Sequence, residues 1–213
     1  MTTVNKVEQI ENYLEELYPN PKCELEYSKD YELLLATMLS AQTTDKRVNQ
    51  VTRVLFRKYP SLEALKDAPR EDIEEIIKPI GTYQRKSLYV KEITTIIVDQ
   101  YGGKTPSDRK ILESLPGVGH KTVNVFLSNI YDVPAIAVDT HVERVSKRLG
   151  LAKKDDSVLA VEKKLEKYFD PSVWGRRHHQ LVLFGRYHCK SMKPECDSCK
   201  LQKICKYYKT LKK

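Results

Sequence analysis

The sequence predicts an all-α fold, and three observations carry that prediction. Apolar residues recur at helical spacing along almost the whole chain. Sustained period-two alternation is missing, and glycine is scarce, with 8 in 213 residues. An apolar stripe at i, i+3, i+4 and i+7 marks a helix with one buried face. Glycine costs a helix interior about 1 kcal/mol relative to alanine, so a glycine-poor chain suits helices. The length allows one large domain or two small ones, either able to bury a core without disulfides.

The elements follow in order. The stretch 1–17 is amphipathic, with Val7, Ile10, Leu14 and Leu17 at helical spacing. Residues 30–39 place Tyr31, Leu34, Leu35, Met38 and Leu39 on one side, and 48–56 do the same with Val48, Val51, Val54 and Leu55. The stretches 73–77, 88–98 and 159–169 continue the pattern. Short breaks separate them at Tyr59-Pro60-Ser61, Pro79-Ile80-Gly81, Tyr101-Gly102-Gly103 and Leu115-Pro116-Gly117. Roughly ten short helices with tight connections are expected. No run approaches the ~20 apolar residues of a membrane span, and no secretory signal is visible, so a soluble cytoplasmic protein is expected.

Charge is concentrated at one end. Residues 176–213 hold 11 Lys+Arg against 2 Asp+Glu, a net of +9 within a chain whose total is +8. A basic segment recruits polyanions such as nucleic acid or an acidic membrane surface, although a bare lysine run is as often a solubilising tail. Here the basic residues interleave with four cysteines, Cys189, Cys196, Cys199 and Cys205, spaced C-x6-C-x2-C-x5-C. In a cytoplasmic protein metal ligation is the default for such a set, and four thiolates suit zinc or a [4Fe–4S] cluster. Cys23 stands apart and reads as a small core residue.

The most informative stretch runs from Ser107 through Leu115, then Pro116-Gly117-Val118-Gly119, then His120-Lys121-Thr122-Val123. It reads as helix, four-residue hairpin, helix, with Ser107 or Asp108 as the first N-cap. Gly117 and Gly119 permit positive φ and close backbone approach. The second helix would begin with outward amides and the positive end of its dipole, which suits a DNA phosphate. Such a hairpin points to DNA and not yet to an enzyme. Lys121 lies in the first turn of that helix, where the dipole disfavours the charged ammonium form. A neutral amine there suits nucleophilic attack on carbon and a Schiff base, with a phosphate-contacting lysine as the rival reading. Eighteen residues later Asp139 precedes Thr140-His141-Val142-Glu143. Asp139 or Thr140 is the N-cap of a new helix, and Thr140 with Glu143 has capping-box spacing. A carboxylate fixed at a helix start also suits stabilisation of positive charge developing on a sugar ring.

Together these motifs resemble the endonuclease III family of helix-hairpin-helix DNA glycosylases with an iron–sulfur cluster. The resemblance spans essentially the whole chain. It includes Leu39-Ser40-Ala41-Gln42-Thr43-Thr44-Asp45, Ile80-Gly81-Thr82-Tyr83, the hairpin, Val138-Asp139-Thr140-His141, and His188-Cys189 onwards. It implies two helical domains with a DNA-binding cleft between them: a six-helix domain with the hairpin over 21–134, and a cluster domain made of 1–20 and 135–213. It implies a bifunctional glycosylase and abasic-site lyase of base excision repair that removes oxidised pyrimidines and cuts 3′ to the lesion by β-elimination. Lys121 would be the nucleophile, Asp139 the electrostatic partner, and the four cysteines the ligands of a [4Fe–4S] cofactor. Gln42, Gly81, Thr82, Gly117, Val118, Gly119, His120, Arg144, Lys190 and Lys193 would contact DNA. Gln42 would enter the space left by the extruded nucleotide, since C1′ is inaccessible in a stacked duplex. The partner would be damaged double-stranded DNA and the protein a nucleoid-associated bacterial monomer. The adenine-removing branch of the superfamily usually has another residue at the Lys121 position. Relatives often place a bulky apolar wedge after the Ile-Gly pair, where this chain has Thr82; Tyr83 or a neighbouring loop is the alternative wedge. His141, His178, His179 and His188 lack matched partners in the sequence and read as structural. A non-catalytic DNA binder and an electron-transfer protein are the rival classes, and Lys121 with Asp139 argues against the first.

Overall fold

The computed structural model describes residues 3–211, and among these every regular element is helical. The backbone divides into two compact units, Cys23–Tyr131 and a second formed by Met1–Lys22 with Asp132–Lys213.

The first unit carries seven helices: α2 (Asp30–Leu39), α3 (Asp45–Lys58), α4 (Leu62–Asp67), α5 (Arg70–Ile77), α6 (Tyr83–Tyr101), α7 (Arg109–Ser114) and α8 (His120–Ile130). Here α2 is the central rod. Every residue from Tyr31 to Leu39 is buried, because its Leu-Leu-Leu-Ala-Thr-Met-Leu run is apolar all round and α3, α6 and α8 pack on it. Its one interior hydroxyl, Thr37, is satisfied by donating to the Leu33 carbonyl at 2.8 Å. Leu33, Leu34, Leu35 and Leu39 are fully buried; at about 1.5–3 kcal/mol each they are a large share of the unit's hydrophobic stabilisation. Around this rod, α3 starts at an N-cap, Thr44, and α4 at another, Ser61, whose hydroxyls accept from Arg47 and Ala64 amides. Cys23 packs, half-buried, against this core.

In the second unit, α1 (Thr3–Leu17) joins α9 (Thr140–Leu149), α10 (Val158–Tyr168), α11 (Trp174–Leu183) and the short α12 (Lys206–Leu211). Ile10, Leu14, Val142, Val145, Leu149, Val161, Leu165, Leu181 and Phe184 form its core. The stripe expected for the first helix is present, with Val7, Ile10 and Leu14 buried; residues 1 and 2 lie outside the described part. Arg176 and Arg177 on α11 pair with Glu15 on α1, and Arg177 also with Glu11. α11 runs on into a single wide turn, Phe184–His188, that delivers the chain to Cys189. Gly185 in that turn has no room for a side chain, since a Cβ would stand 2.9 Å from His141 Cβ. No described helix is long and apolar enough to cross a membrane.

Candidate active site

The hairpin is built as its residues dictate. Asp108 caps α7 by accepting from the Ile111 amide at 3.0 Å. The turn closes when the Val118 amide donates to the Leu115 carbonyl at 3.1 Å, and the Val118 side chain is buried in the core. Gly117 sits at φ +73, with its Cα turned towards the ring of Tyr89 on α6: a Cβ would lie 2.4 Å from Tyr89 Cδ2. Gly119 differs from the sequence expectation. It is extended, φ −104 and ψ 174, and is the N-cap of α8. No side chain caps α8, so its first amides have no partner of that kind, while the dipole's positive end adds to them. Lys121 is exposed in this first turn. His120 is exposed beside it, with Nδ1 3.4 Å from a Glu113 carboxylate oxygen and Nε2 3.3 Å from the Asn124 amide.

Two exposed loops of the same unit hold the other sequence-nominated residues. Gln42 lies between α2 and α3 at φ +58, and Thr82 precedes α6 at φ +56. Both are non-glycine residues in the left-handed region, which surrounding structure must enforce. Gly81 is exposed next to Thr82, whose hydroxyl turns back onto the Gly81 carbonyl at 2.7 Å. Tyr83 is half-buried against the core.

In the second unit, buried Ala135, Ile136, Ala137 and Val138 run extended into α9. Asp139 is the N-cap. Its Oδ1 accepts from the amides of His141 at 2.9 Å and Val142 at 2.8 Å, so the cap bonds use one carboxylate oxygen. The guanidinium of Arg144, one turn on, is half-buried and donates to the carbonyls of Gly185 at 2.6 Å and Cys189 at 3.3 Å. Arg148 donates to the Lys190 carbonyl at 2.5 Å and to Cys189 Sγ at 3.5 Å. These arginines anchor the segment that carries Lys190 and Lys193. Lys190 is paired with Glu195 at 2.6 Å, while Lys193 is exposed at φ +48. His178 Nδ1 donates to the Ala137 carbonyl, 2.8 Å away, and His141 Nδ1 accepts from Arg144 at 3.2 Å.

Cys189, Cys196, Cys199 and Cys205 line one recess, together with Phe184, His188 and Tyr207. No disulfide joins them. Burial raises the Cys196 thiol and pushes that of Cys199 up to about 11. Among the described residues no three His, Cys, Asp or Glu side chains gather closely enough to hold one metal ion. A cubane cluster asks for something else: each thiolate binds its own corner iron, so the sulfurs ring a larger space. His188 is also buried here, and its Nε2 is one of the few buried side-chain atoms with no hydrogen-bond partner. A recess with four thiols on its wall and an orphaned buried nitrogen fits an anionic sulfur-rich group.

A family model described as HhH-GPD superfamily base excision DNA repair protein matches residues 35–171, which is the class that the helical fold and glycine hairpin define. Curated relatives include endonuclease III of Bacillus subtilis, 45% identical over 97% of this chain and 94% of that protein. Endonuclease III of Escherichia coli K12 is 40% identical over 96% of this chain and 97% of its own. The solved structure of a trapped endonuclease III–DNA covalent intermediate, an estranged-adenine complex, is 44% identical, with TM-score 0.95 and full coverage of both chains. A thermostable thymine-DNA glycosylase shares the fold at 24% identity and TM-score 0.86, covering 98% of this chain and 99% of that one. The chain belongs to the endonuclease III family, DNA glycosylases of base excision repair.

Periodicity and motif reading missed three supporting residues: Tyr89 beneath the hairpin, Arg148 on the cysteine segment, and the buried Lys86. Each acts through a partner distant in sequence, and no local pattern marks it.

Proposed function

We propose that this chain is a bifunctional DNA glycosylase and abasic-site lyase acting on oxidised pyrimidines. The observation that carries the reading is Lys121, an exposed amine in the uncapped first turn of α8 directly after the hairpin. The trapped covalent intermediate of a 44% identical endonuclease III with DNA supports a covalent step.

In this reading the α8 amides and the hairpin backbone take DNA phosphates, with Gly117 holding the turn at positive φ and Gly119 offering no side chain at the approach. His120 lines the same approach, Val118 shapes the turn from inside, and Lys193 contributes charge with Lys190 once its pairing with Glu195 yields. Arg144 serves the interface by anchoring their segment. The target nucleotide leaves the stack, and Gln42 with the Gly81-Thr82 loop occupies the gap. Lys121 Nζ attacks C1′, the N-glycosidic bond breaks, and the base leaves with its electron pair and a proton. Asp139 stabilises the positive charge that spreads over the sugar. Loss of the amine's protons and ring opening give an imine at C1′. Removal of a C2′ proton then expels the 3′ phosphate by β-elimination and cuts the strand 3′ to the lesion. Cys189, Cys196, Cys199 and Cys205 would hold a [4Fe–4S] cluster, which when bound supplies a structural pin for the basic segment. The domain limits that accompany this reading are 21–134 for the hairpin domain and 1–20 with 135–213 for the cluster domain, and the protein acts as a cytoplasmic monomer.

The test is borohydride trapping on duplexes that carry an oxidised pyrimidine, an oxidised purine or an abasic site. A covalent adduct on the oxidised pyrimidine and abasic duplexes is expected. Trapping confined to the purine lesion would overturn the substrate class, and none on any duplex would overturn the lyase.

A further inference from the structure

Lys86 is the charged side chain whose position is hardest to explain by solubility. It sits on α6 and is 4% exposed. Its ammonium donates to the Leu39 carbonyl at 2.9 Å, the Ala41 carbonyl at 2.7 Å and the Thr43 hydroxyl at 3.4 Å. Burial lowers its pKa, and a buried cation is retained only where specific acceptors compensate it.

Those acceptors are the end of α2. A helix leaves its last carbonyls without intrahelical donors, and its dipole is negative there. The end is fully accounted for. Ala36 and Thr37 carbonyls take the Ser40 amide and hydroxyl, Met38 takes the Ala41 amide, and Ser40 takes the Thr43 amide. The Leu39 and Ala41 carbonyls take Lys86. The residue bracketed by these contacts is Gln42, at φ +58. Both of its neighbours touch the same ammonium, so the strained conformation is held from each side. Lys86 also reaches the other strained residue. Its own amide donates to the carbonyl of Thr82, φ +56, at 3.0 Å. One residue thus grips both exposed left-handed positions of this unit's two loops, by side chain at one and by main chain at the other.

We propose that Lys86 is a positioning residue: it fixes the Gln42 loop against the Thr82 loop so that both enter the duplex in register as the target nucleotide is extruded. The inference rests on the glycosylase reading above and concerns only the extrusion step. Lys86 touches neither sugar nor base.

The experiment compares Lys86→Met, Gln42→Ala and the double variant, with thermal unfolding recorded for each. The first readout is single-turnover excision from a lesion duplex. The second is β-elimination at an abasic site in a single-stranded oligonucleotide, where nothing has to be extruded. Lys86→Met should lower the ratio of duplex to single-strand rate by roughly 10–100-fold, the order that an ångström of misplacement costs. In the Gln42→Ala background the same substitution should lower it by less than about 3-fold, since the residue it positions is gone. A fluorescent base analogue opposite the lesion should lose its binding-induced signal in both single variants alike. A folded Lys86→Met with the parental ratio, or losses that multiply in the double variant, would overturn the proposal. If Lys86→Met does not fold, Lys86→Gln, which removes the ammonium and shortens the reach to the Leu39 and Ala41 carbonyls, carries the same comparison, and a folded Lys86→Gln with the parental ratio would equally overturn the proposal. Failure of the parent to cut the single strand would instead count against the lyase reading and leave a distinct signature.

Discussion

Gly117→Ala is a perturbation whose cost can be worked from the hairpin's geometry. At φ +73 an alanine is strained by roughly 1–2 kcal/mol relative to glycine. Its methyl would lie 2.4, 2.8 and 3.1 Å from Tyr89 Cδ2, Cε2 and Cγ, so the ring itself must move and not merely its tip. Such overpacking costs about 1–3 kcal/mol, for a total of about 2–5 kcal/mol. Gly119→Ala is the internal control. It sits at φ −104 with nothing within 4 Å of an added Cβ, and its cost is that of a poorer N-cap, below about 1 kcal/mol. Urea unfolding followed by circular dichroism should show a clear fall in midpoint for Gly117→Ala at unchanged slope, and a small one for Gly119→Ala. Duplex binding should fall for both, for Gly117→Ala because the turn must shift off the Tyr89 ring and for Gly119→Ala because its methyl projects into the open space before α8. A Tyr89→Ala background should remove the packing part of the Gly117→Ala cost and leave the strain. Equal destabilisation by the two glycine variants, or a Gly117→Ala cost under about 1 kcal/mol, would refute this account of the turn.

Three further outcomes follow from other parts of the molecule. Hydrogen bonds from Arg176, then Arg177, hold the Glu15 carboxyl at a pKa of about 2, well below the ordinary glutamate value of 4.5. Because the folded value is the lower one, the stabilisation is complete above about pH 4.5 and fades as pH falls towards 2. Glu15→Gln should flatten the acid limb of the stability curve there and cost on the order of 1–2 kcal/mol at neutral pH, discounted for a carboxylate 34% exposed. The cysteine recess predicts yellow-brown protein with about four irons per chain and a low folded yield for Cys205→Ser; stoichiometric zinc without visible absorption in anaerobic preparations would contradict it. Lys193→Ala should flatten the log–log salt dependence of duplex binding by about one unit if that exposed lysine meets a phosphate.

The helices were legible because their cause is local. The Tyr31–Leu39 run and the α10 helix follow from spacing, and of the two candidates the sequence offered for each cap the structure uses Asp108 and Asp139. Elements of six residues such as α4 and α12 show less than two turns of pattern, which is why a count of about ten falls short of the twelve α-helices described. The site was less legible where its conformation is imposed from afar. Gln42 and Thr82 carry no glycine-like signal for their positive φ; Lys86, more than 40 residues from the Gln42 loop, enforces one of them. Gly119 looks like a second left-handed glycine, yet its conformation is ordinary, with open space around an added Cβ. The sequence marks Arg144 and Lys190 as DNA contacts and says nothing of their intramolecular partners. Their partners, Gly185 and Cys189 for one and Glu195 for the other, are assigned only by the packing of α9 beside the cysteine segment.

The central claim is that Lys121 is the nucleophile, and borohydride trapping of Lys121→Gln on an abasic duplex tests it most directly. The substitution removes the amine and keeps a polar side chain of similar length at an exposed position, so folding should be unaffected. The account predicts no covalent adduct and a loss of nicking by several orders of magnitude, with duplex affinity falling far less because one contact among many is changed. An adduct formed at the parental rate by Lys121→Gln would contradict it and leave the hairpin as a binding module only.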